Sequence, residues 1–305
     1  MRAILTLGFT GTIASGKSSR CKRLVEVAAE HQRALGIGTV AAKTMSHKPN
    51  PPSQAPTPYA ADAVLTHYIN ADLVGHHIYE PGKPCYRDLV QHFGTSILSR
   101  TSASEALKTE GGRGTSASVD RPPFIDRRVL GEIVFSDERK LRELNSICWP
   151  YISAAIRAEH LAVCARATAT APPSGIDTSV LDAVPRGPAV AVALIIVEAA
   201  LLCDLTDILS LTTDLWMTHC TPWTAVDRLM QRNGLSREAA ERRVSSQREV
   251  GEKLQTLREF SYRGDIKVFD TTQISLAEGL KETEKAFNMY WKQKVLVHLS
   301  CGSGS

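Results

Sequence analysis

Eight residues near the amino terminus carry the most specific chemical information in the sequence. The run Gly11–Ser18 reads G-x-x-x-x-G-K-S, and Lys17 and Ser18 are its last two residues. Glycine lets the backbone of such a loop curl until successive N–H groups face one anion. The lysine then reaches the β- and γ-phosphates of a nucleotide, and the serine hydroxyl binds Mg²⁺. The motif therefore predicts a site for a nucleoside triphosphate and its metal ion.

The segments on either side of this loop are those that a phosphate site requires. Residues 3–7 form a strand-like apolar run before it, and residues 18–34 follow it with the spacing of an amphipathic helix. A helix that starts where the loop ends adds the positive end of its dipole to the site. We therefore expect nucleotide contacts from Gly11, Ala14, Ser15, Gly16, Lys17, Ser18 and Ser19.

Strand and helix patterns alternate along the rest of the chain. The apolar run at 190–197 is shorter than the roughly 20 residues that span a bilayer, and it is typical of a buried parallel strand. Further strands are predicted at 65–69, 214–220 and 267–269, and helices at 127–135, 138–164, 222–232, from Ser236 and at 275–293. The pair Trp149–Pro150 is expected to interrupt the second helix, because proline disfavours helix in the preceding residue. The alternation predicts an α/β protein of the P-loop fold, with a parallel sheet flanked by helices.

The composition excludes several other classes of protein. The chain has 305 residues, 43% hydrophobic and 22% charged, which is ordinary for a globular protein. A formal net charge of +4 is too small for the basic face of a nucleic-acid-binding protein. Seven cysteines without a C-x-x-C pair indicate reduced thiols, and no leader pattern precedes the first strand. We expect a cytoplasmic protein without a membrane span, whose oligomeric state the sequence leaves open.

A phosphate loop identifies a nucleotide site but not a reaction. Asp72–Gly75 fits the D-x-x-G of GTPases, yet the N-K-x-D that selects guanine occurs nowhere in the chain. The chain is also small for a motor or transporter ATPase. A small-molecule kinase is the class that remains.

Motifs downstream of the loop resemble those of the dephospho-CoA kinase family. Residues 70–72 read N-A-D and are similar to the family's D-A-D, followed by Y-E-P-G at 79–82 and H-F-G at 92–94. Residues 125–135 resemble I-D-R-x-x-L-G-x-I-V-F, and 228–236 resemble R-L-x-x-R-D-G-L-S. The matches follow one another in the family's order, and the proline-rich and small-polar segments fall between them.

The resemblance implies transfer of the γ-phosphoryl group of ATP to the ribose 3′-hydroxyl of dephospho-CoA. Asp72 occupies the position credited with accepting the hydroxyl proton, and Lys17 with Arg232 or Arg243 would stabilise the transferring group. Asp270 matches the loop that flanks the adenine. The implied acceptor-binding residues are Asp72, Tyr79, Phe93, Arg127, Arg128 and Glu198.

The resemblance also implies how one kinase unit, residues 1–305, is organised. A nucleotide-binding core would hold a helical acceptor-binding region and a lid, whose asparagine–glycine turn at 233–234 is a natural hinge. Three segments rich in proline or small polar residues are expected to be loop insertions. The expected ranges are about 1–71 and 189–293 for the core, 72–164 for the acceptor-binding region, 222–260 for the lid, and 43–66, 99–120 and 166–188 for the insertions.

Six positions depart from the family pattern. Ala200 and Cys203 replace a proline and a phenylalanine, which we interpret as local repacking. Asn70 replaces the first aspartate of D-A-D, Glu198 replaces an aspartate after the core strand, Trp149 replaces a histidine, and Thr271 replaces an asparagine. These departures leave two alternatives open. One is a kinase for another small hydroxyl acceptor, such as a nucleoside or nucleotide, and the other is a nucleotide-binding module without catalysis.

Overall fold

The computed structural model describes residues 3–35, 63–99, 123–168 and 190–300. Most of the three expected insertions lies outside these ranges. At their edges the expected ranges were too wide, because residues 63–66 belong to a strand and 166–168 to a helix.

Within the described ranges, five strands form one sheet in the order β2-β3-β1-β4-β5. Every neighbouring pair is parallel, which confirms the predicted parallel sheet. Strand β1, which leads into the phosphate loop, lies between β3 and β4 near the centre of the sheet. The strands are β1 (Ala3–Gly11), β2 (Ala63–Asn70), β3 (Val190–Glu198), β4 (Asp214–His219) and β5 (Asp265–Asp270).

Helices connect the strands, as parallel pairing requires. None of the described helices has the length and apolar composition needed to cross a membrane. Ser236 is an N-cap, as expected, because its side chain accepts a hydrogen bond from the N–H of Ala239. The helices are α1 (Lys17–Ala34), α2 (Ala71–His77), α3 (Pro84–Phe93), α4 (Arg127–Phe135), α5 (Glu138–Thr168), α6 (Thr206–Leu209), α7 (Pro222–Asn233), α8 (Arg237–Ser245), α9 (Val250–Glu259), α10 (Leu276–Tyr290) and α11 (Leu296–Ser300).

Two helix predictions were wrong in detail. Helix α5 continues through Pro150 where a break was expected. Proline removes one helical hydrogen bond, and burial of Cys148 and Ile156 on either side of it favours the continued helix. The terminal helix was expected at 275–293, but α10 ends at Tyr290, and a π-helical turn at Trp291–Val295 leads into α11. That turn carries the buried ring of Trp291, which stacks on His31 at 4.9 Å between centroids.

Strand β3 is buried on both faces, as its uninterrupted apolar run predicts. Residues 192–197 are each 0% exposed. On the side of the sheet covered by α1 and α10, Phe9, Trp216 and Phe269 form an aromatic cluster, with ring centroids 5.4 to 6.4 Å apart. The core therefore fixes β1 and β3 side by side, which determines where their carboxyl ends lie.

Contacts within the chain define two compact units. The first comprises residues 1–70, 157–221 and 249–305 and contains the sheet. The second comprises residues 71–156 and 222–248 and has its own apolar core, which includes Leu89, Ile97 and Leu130. The assignment of functions to a core, an acceptor-binding region and a lid stays a prediction.

Leu194→Ala tests the buried sheet. Leu194 is 0% exposed in β3, so the substitution should lower the free energy of unfolding by about 2–5 kcal/mol. Leu161→Ala is the matched control, because Leu161 lies on α5 with 63% of its surface exposed and should cost under about 0.5 kcal/mol. Urea denaturation followed by circular dichroism measures both. Equal losses would contradict the described burial of β3.

Candidate active site

The phosphate loop is held in shape by hydrogen bonds to the end of β4. The N–H of Thr12 donates to the carbonyl of Thr218 at 3.0 Å. The hydroxyl of Ser15 lies 2.7 Å from the carbonyl oxygen of Thr12 and 2.7 Å from the hydroxyl of Thr218. The curled conformation that a phosphate site needs is therefore built into the protein itself.

Two glycines of the motif are required by this conformation. Gly16 adopts a left-handed φ of 82° directly before α1, a region that costs other residues strain. A Cβ on Gly11 would overlap the side chain and the carbonyl of Thr218. Ala14 also has a positive φ, of 58°. The expected contact residues 11 and 14–19 thus lie at the end of β1, in one tight loop and in the first turn of α1.

Lys17 and Ser18 converge on one buried carboxylate. Glu198 ends β3, in register with Phe9 of β1, and is 0% exposed. Its Oε1 accepts a hydrogen bond from Lys17 Nζ at 2.5 Å and another from Ser18 Oγ at 2.5 Å. The predicted phosphate-binding lysine, the predicted metal ligand and the predicted carboxylate are therefore in direct contact.

The other oxygen of Glu198 has partners on β2. Its Oε2 accepts hydrogen bonds from the hydroxyl of Tyr68 and, at 3.3 Å, from Asn70 Nδ2. Asn70 Nδ2 also donates to the Tyr68 oxygen at 3.0 Å. The carboxylate is thus surrounded by donors on both of its oxygens.

This environment keeps Glu198 charged. Burial alone would raise the pKa of its carboxyl, but the ammonium of Lys17 and the hydrogen bonds from Lys17, Ser18 and Tyr68 outweigh it, so the pKa is lowered. The pKa of Tyr68 is raised, first by burial and then by its hydrogen bond to the carboxylate. At neutral pH the site therefore contains an ionised carboxylate and a neutral phenol.

The hydroxyl oxygen of Ser18 and the carboxylate of Glu198 are suitable ligands for a magnesium ion. Mg²⁺ prefers hard oxygen ligands and is held by one or two protein oxygens together with substrate phosphates. The hydroxyl of Ser18 and the carboxylate of Glu198 lie 2.5 Å apart at the end of the phosphate loop. These two residues are the ones that would hold the ion.

Asp270 lies at the same edge of the sheet, after β5. Parallel strands end at a common edge, where α/β proteins bind their ligands. Its Oδ1 accepts hydrogen bonds from the N–H of Thr272 at 2.9 Å and from its hydroxyl at 2.6 Å, and these bonds lower the pKa of Asp270. Thr271 is tied to β4 through the carbonyl of His219. The carboxylate of Asp270 therefore shapes the loop that the sequence assigns to the adenine.

Of the predicted acceptor-binding residues, Glu198 lies in the first unit, and the other five lie in the second unit together with the lid arginines. Asp72 is exposed in the first turn of α2. The guanidinium of Arg127 lies 5.7 Å from the centre of the Tyr79 ring, which brings two predicted contact residues together. Phe93 packs partly against the apolar core of the unit. Arg128 pairs with Glu132 at 2.9 Å on an exposed face.

The two lid arginines have different surroundings. Arg243 lies with its guanidinium 5.6 Å from the centre of the Phe135 ring. Arg232 is exposed at the end of α7, and its Nε donates to Asn233 Oδ1 at 2.9 Å. Their expected contact with phosphate stays a prediction.

Proteins of similar sequence identify the family to which the chain belongs. No family model matches it. A dephospho-CoA kinase of Carboxydothermus hydrogenoformans is 31% identical over 186 residues, which are 61% of this chain and 68% of that protein. A dephospho-CoA kinase of Geobacter metallireducens is 28% identical over 228 residues, 74% of this chain and 84% of that protein. A Danio rerio dephospho-CoA kinase domain-containing protein is 29% identical over 185 residues, 61% of each chain. The chain belongs to the dephospho-CoA kinase family.

Tyr68 belongs to the candidate site of this dephospho-CoA kinase family member, but the sequence analysis did not predict it. Side chains two residues apart on a strand share a face, so Tyr68 lies on the face of Asn70, which pairs in register with Glu198. The available signal was a tyrosine two positions before Asn70 at the end of a strand. That signal has meaning only once β2 is known to pair with β3.

Glu198→Gln tests the charged state of the buried carboxylate. The pKa of Glu198 in the folded protein lies below its ordinary value of about 4.5. The ionised carboxylate therefore stabilises the folded state in full above about pH 4.5, and this stabilisation is lost as the pH falls through the lowered pKa. The free energy of unfolding of the wild type should therefore fall more steeply below about pH 4.5 than that of the variant. Urea denaturation across this range measures the difference. Parallel curves would mean that Glu198 is not ionised in the folded protein.

Proposed function

We propose that this protein transfers the γ-phosphoryl group of ATP to the 3′-hydroxyl of dephospho-CoA, giving coenzyme A and ADP. One observation carries the proposal. A curled phosphate loop presents Lys17 and Ser18 on a buried, ionised Glu198, in a chain of the dephospho-CoA kinase family. The site thus has the groups for a nucleotide, and the family supplies the acceptor.

The nucleotide end of the reaction rests on the phosphate loop. Phosphoryl transfer needs positioning of the phosphate and stabilisation of the charge that spreads over its oxygens. The loop N–H groups, the start of α1 and the ammonium of Lys17 provide a positive environment without further rearrangement of the backbone. Mg²⁺ held by Ser18 and Glu198 would neutralise charge on the β- and γ-phosphates. Asp270 and its loop would lie beside the adenine.

The acceptor end rests on the second unit. A ribose hydroxyl is a poor nucleophile, so a carboxylate that orients it and accepts its proton accelerates the transfer. We assign that role to Asp72, which is exposed on α2. The cationic and aromatic pair of Arg127 and Tyr79 offers a diphosphate partner and a surface for adenine stacking.

Four further residues complete the assignment as predictions. Arg128 and Phe93 would contact the acceptor, and Arg232 and Arg243 would contact the transferring phosphate when the lid closes. The guanidinium of Arg243 lies 5.6 Å from the centre of the Phe135 ring at the end of α4. The cytoplasmic location and the absence of a nucleic-acid partner, both expected from the sequence, stay predictions.

ADP release by the purified protein tests the reaction. With Mg-ATP, dephospho-CoA should stimulate release strongly and a panel of nucleosides should not, with coenzyme A as the product. Lys17→Ala should lower this rate by at least about a hundredfold, since it removes charge stabilisation from the transferring group. Lys22→Ala is the matched control, because Lys22 is exposed on α1.

The other outcomes are equally informative. Stimulation by a nucleoside instead of dephospho-CoA would overturn the proposed acceptor. Mg-ATP binding without turnover by any acceptor would favour a nucleotide-binding module, and undiminished turnover in Lys17→Ala would contradict the phosphate-loop assignment.

Asp72→Asn tests the proposed proton acceptor. The amide keeps the shape of the side chain but cannot accept the hydroxyl proton, so kcat should fall by about 10²–10⁴-fold. The affinity for Mg-ATP should be nearly unchanged, because Asp72 belongs to the acceptor side of the reaction. Steady-state kinetics and equilibrium ATP binding separate the two effects. Full activity of the variant would assign the proton to another group.

A further inference from the structure

The two oxygens of Glu198 have separate sets of partners. Oε1 accepts from Lys17 and Ser18 of the phosphate loop. Oε2 accepts from Tyr68 and Asn70 of β2. Oε1 thus faces the two side chains that would bind nucleotide and metal, and Oε2 faces side chains of the sheet.

The sheet makes the second set rigid. Asn70 pairs in register with Glu198 across parallel strands, and Tyr68 pairs with Ile196, two residues earlier. Tyr68 and Asn70 therefore lie on one face, and the hydrogen bond from Asn70 to the Tyr68 oxygen fixes both donors. When Lys17 and Ser18 exchange Oε1 for a nucleotide, the donors on Oε2 can remain in place.

We propose that Asn70 and Tyr68 are positioning residues for phosphoryl transfer, which anchor Glu198 through Oε2 so that Oε1 stays directed at the phosphate loop. The inference rests on the proposed function for its catalytic readout. Neither residue needs to contact nucleotide or acceptor, because each acts through the Glu198 carboxylate.

The amide of Asn70 is essential to this arrangement. Its Nδ2 donates to Glu198, whereas an aspartate of the same shape would present a second carboxylate to a fully buried one. Like charges at that distance repel strongly where water is excluded. Asn70 and Glu198, the two positions that depart from the family pattern on these strands, are therefore matched to each other as donor and acceptor.

Exchanging donor and acceptor provides a test. Asn70→Asp alone should lower kcat by at least about tenfold, since it replaces a charge-assisted hydrogen bond with repulsion. Glu198→Gln alone should also lower it. In the double variant, the new amide on β3 would offer an N–H to the new carboxylate on β2 and an oxygen to Lys17 and Ser18. The double variant should therefore be at least about tenfold faster than the product of the two single effects predicts.

Three further measurements separate positioning from simple destabilisation. The KM for dephospho-CoA should stay within about twofold in Asn70→Asp, because the interaction lost belongs to the transfer step. Tyr68→Phe, which removes only the hydroxyl, should lower kcat in the same direction and serves if Asn70→Asp does not fold. His67→Gln is the control, because the His67 ring bonds to Glu159 at 2.7 Å, away from this cluster.

The outcomes distinguish this inference from the proposed function. Independent effects of the two substitutions, in an active wild type, would overturn the positioning role and leave the proposed function standing. If dephospho-CoA gives no stimulation, the proposed function fails, and the slow hydrolysis of Mg-ATP without acceptor becomes the readout for the same set of variants. If the double variant hydrolysed Mg-ATP faster than the product of the two single effects predicts, the positioning role would still be supported. Independent effects on this hydrolysis would overturn the positioning role.

Discussion

The candidate site depends on one buried negative charge that must be compensated. An ionised carboxylate costs several kcal/mol to remove from water unless it is paired and hydrogen-bonded. Glu198 is 0% exposed and Lys17 is 8% exposed, so neither charge is hydrated to any large extent. Each therefore depends on the other, and the loop that carries Lys17 is held next to the strand that carries Glu198.

The order of the strands makes this pairing possible. Because β1 and β3 are neighbours and parallel, their carboxyl ends meet at one edge, with Phe9 in register with Glu198. The loop that continues from β1 leads to Lys17 and Ser18, which contact Glu198, while β2 on the far side of β3 supplies Tyr68 and Asn70. The phosphate loop and the β2 donors thus approach one carboxylate from two sides.

The sequence predicted the local parts of this arrangement and missed the long-range ones. The strand–loop–helix pattern at residues 3–34, the apolar run of β3 and the Ser236 cap follow from short-range patterns, and each was confirmed. The break expected at Pro150 was wrong, because the burial of residues beside it belongs to tertiary structure. Tyr68 was missed because its partner is 130 residues away along the chain.

The same reasoning explains why two departures from the family pattern need not weaken the site. Taken singly, Asn70 loses a carboxylate and Glu198 gains a methylene. Taken together, they place an amide donor against a carboxylate oxygen at 3.3 Å, within a network whose other members supply further donors. Buried polar groups are stable when every member of their network is satisfied. A substitution at either position therefore has to be judged with its partner, since the hydrogen-bonded pair, and not the single residue, is the unit that keeps the carboxylate directed at Lys17.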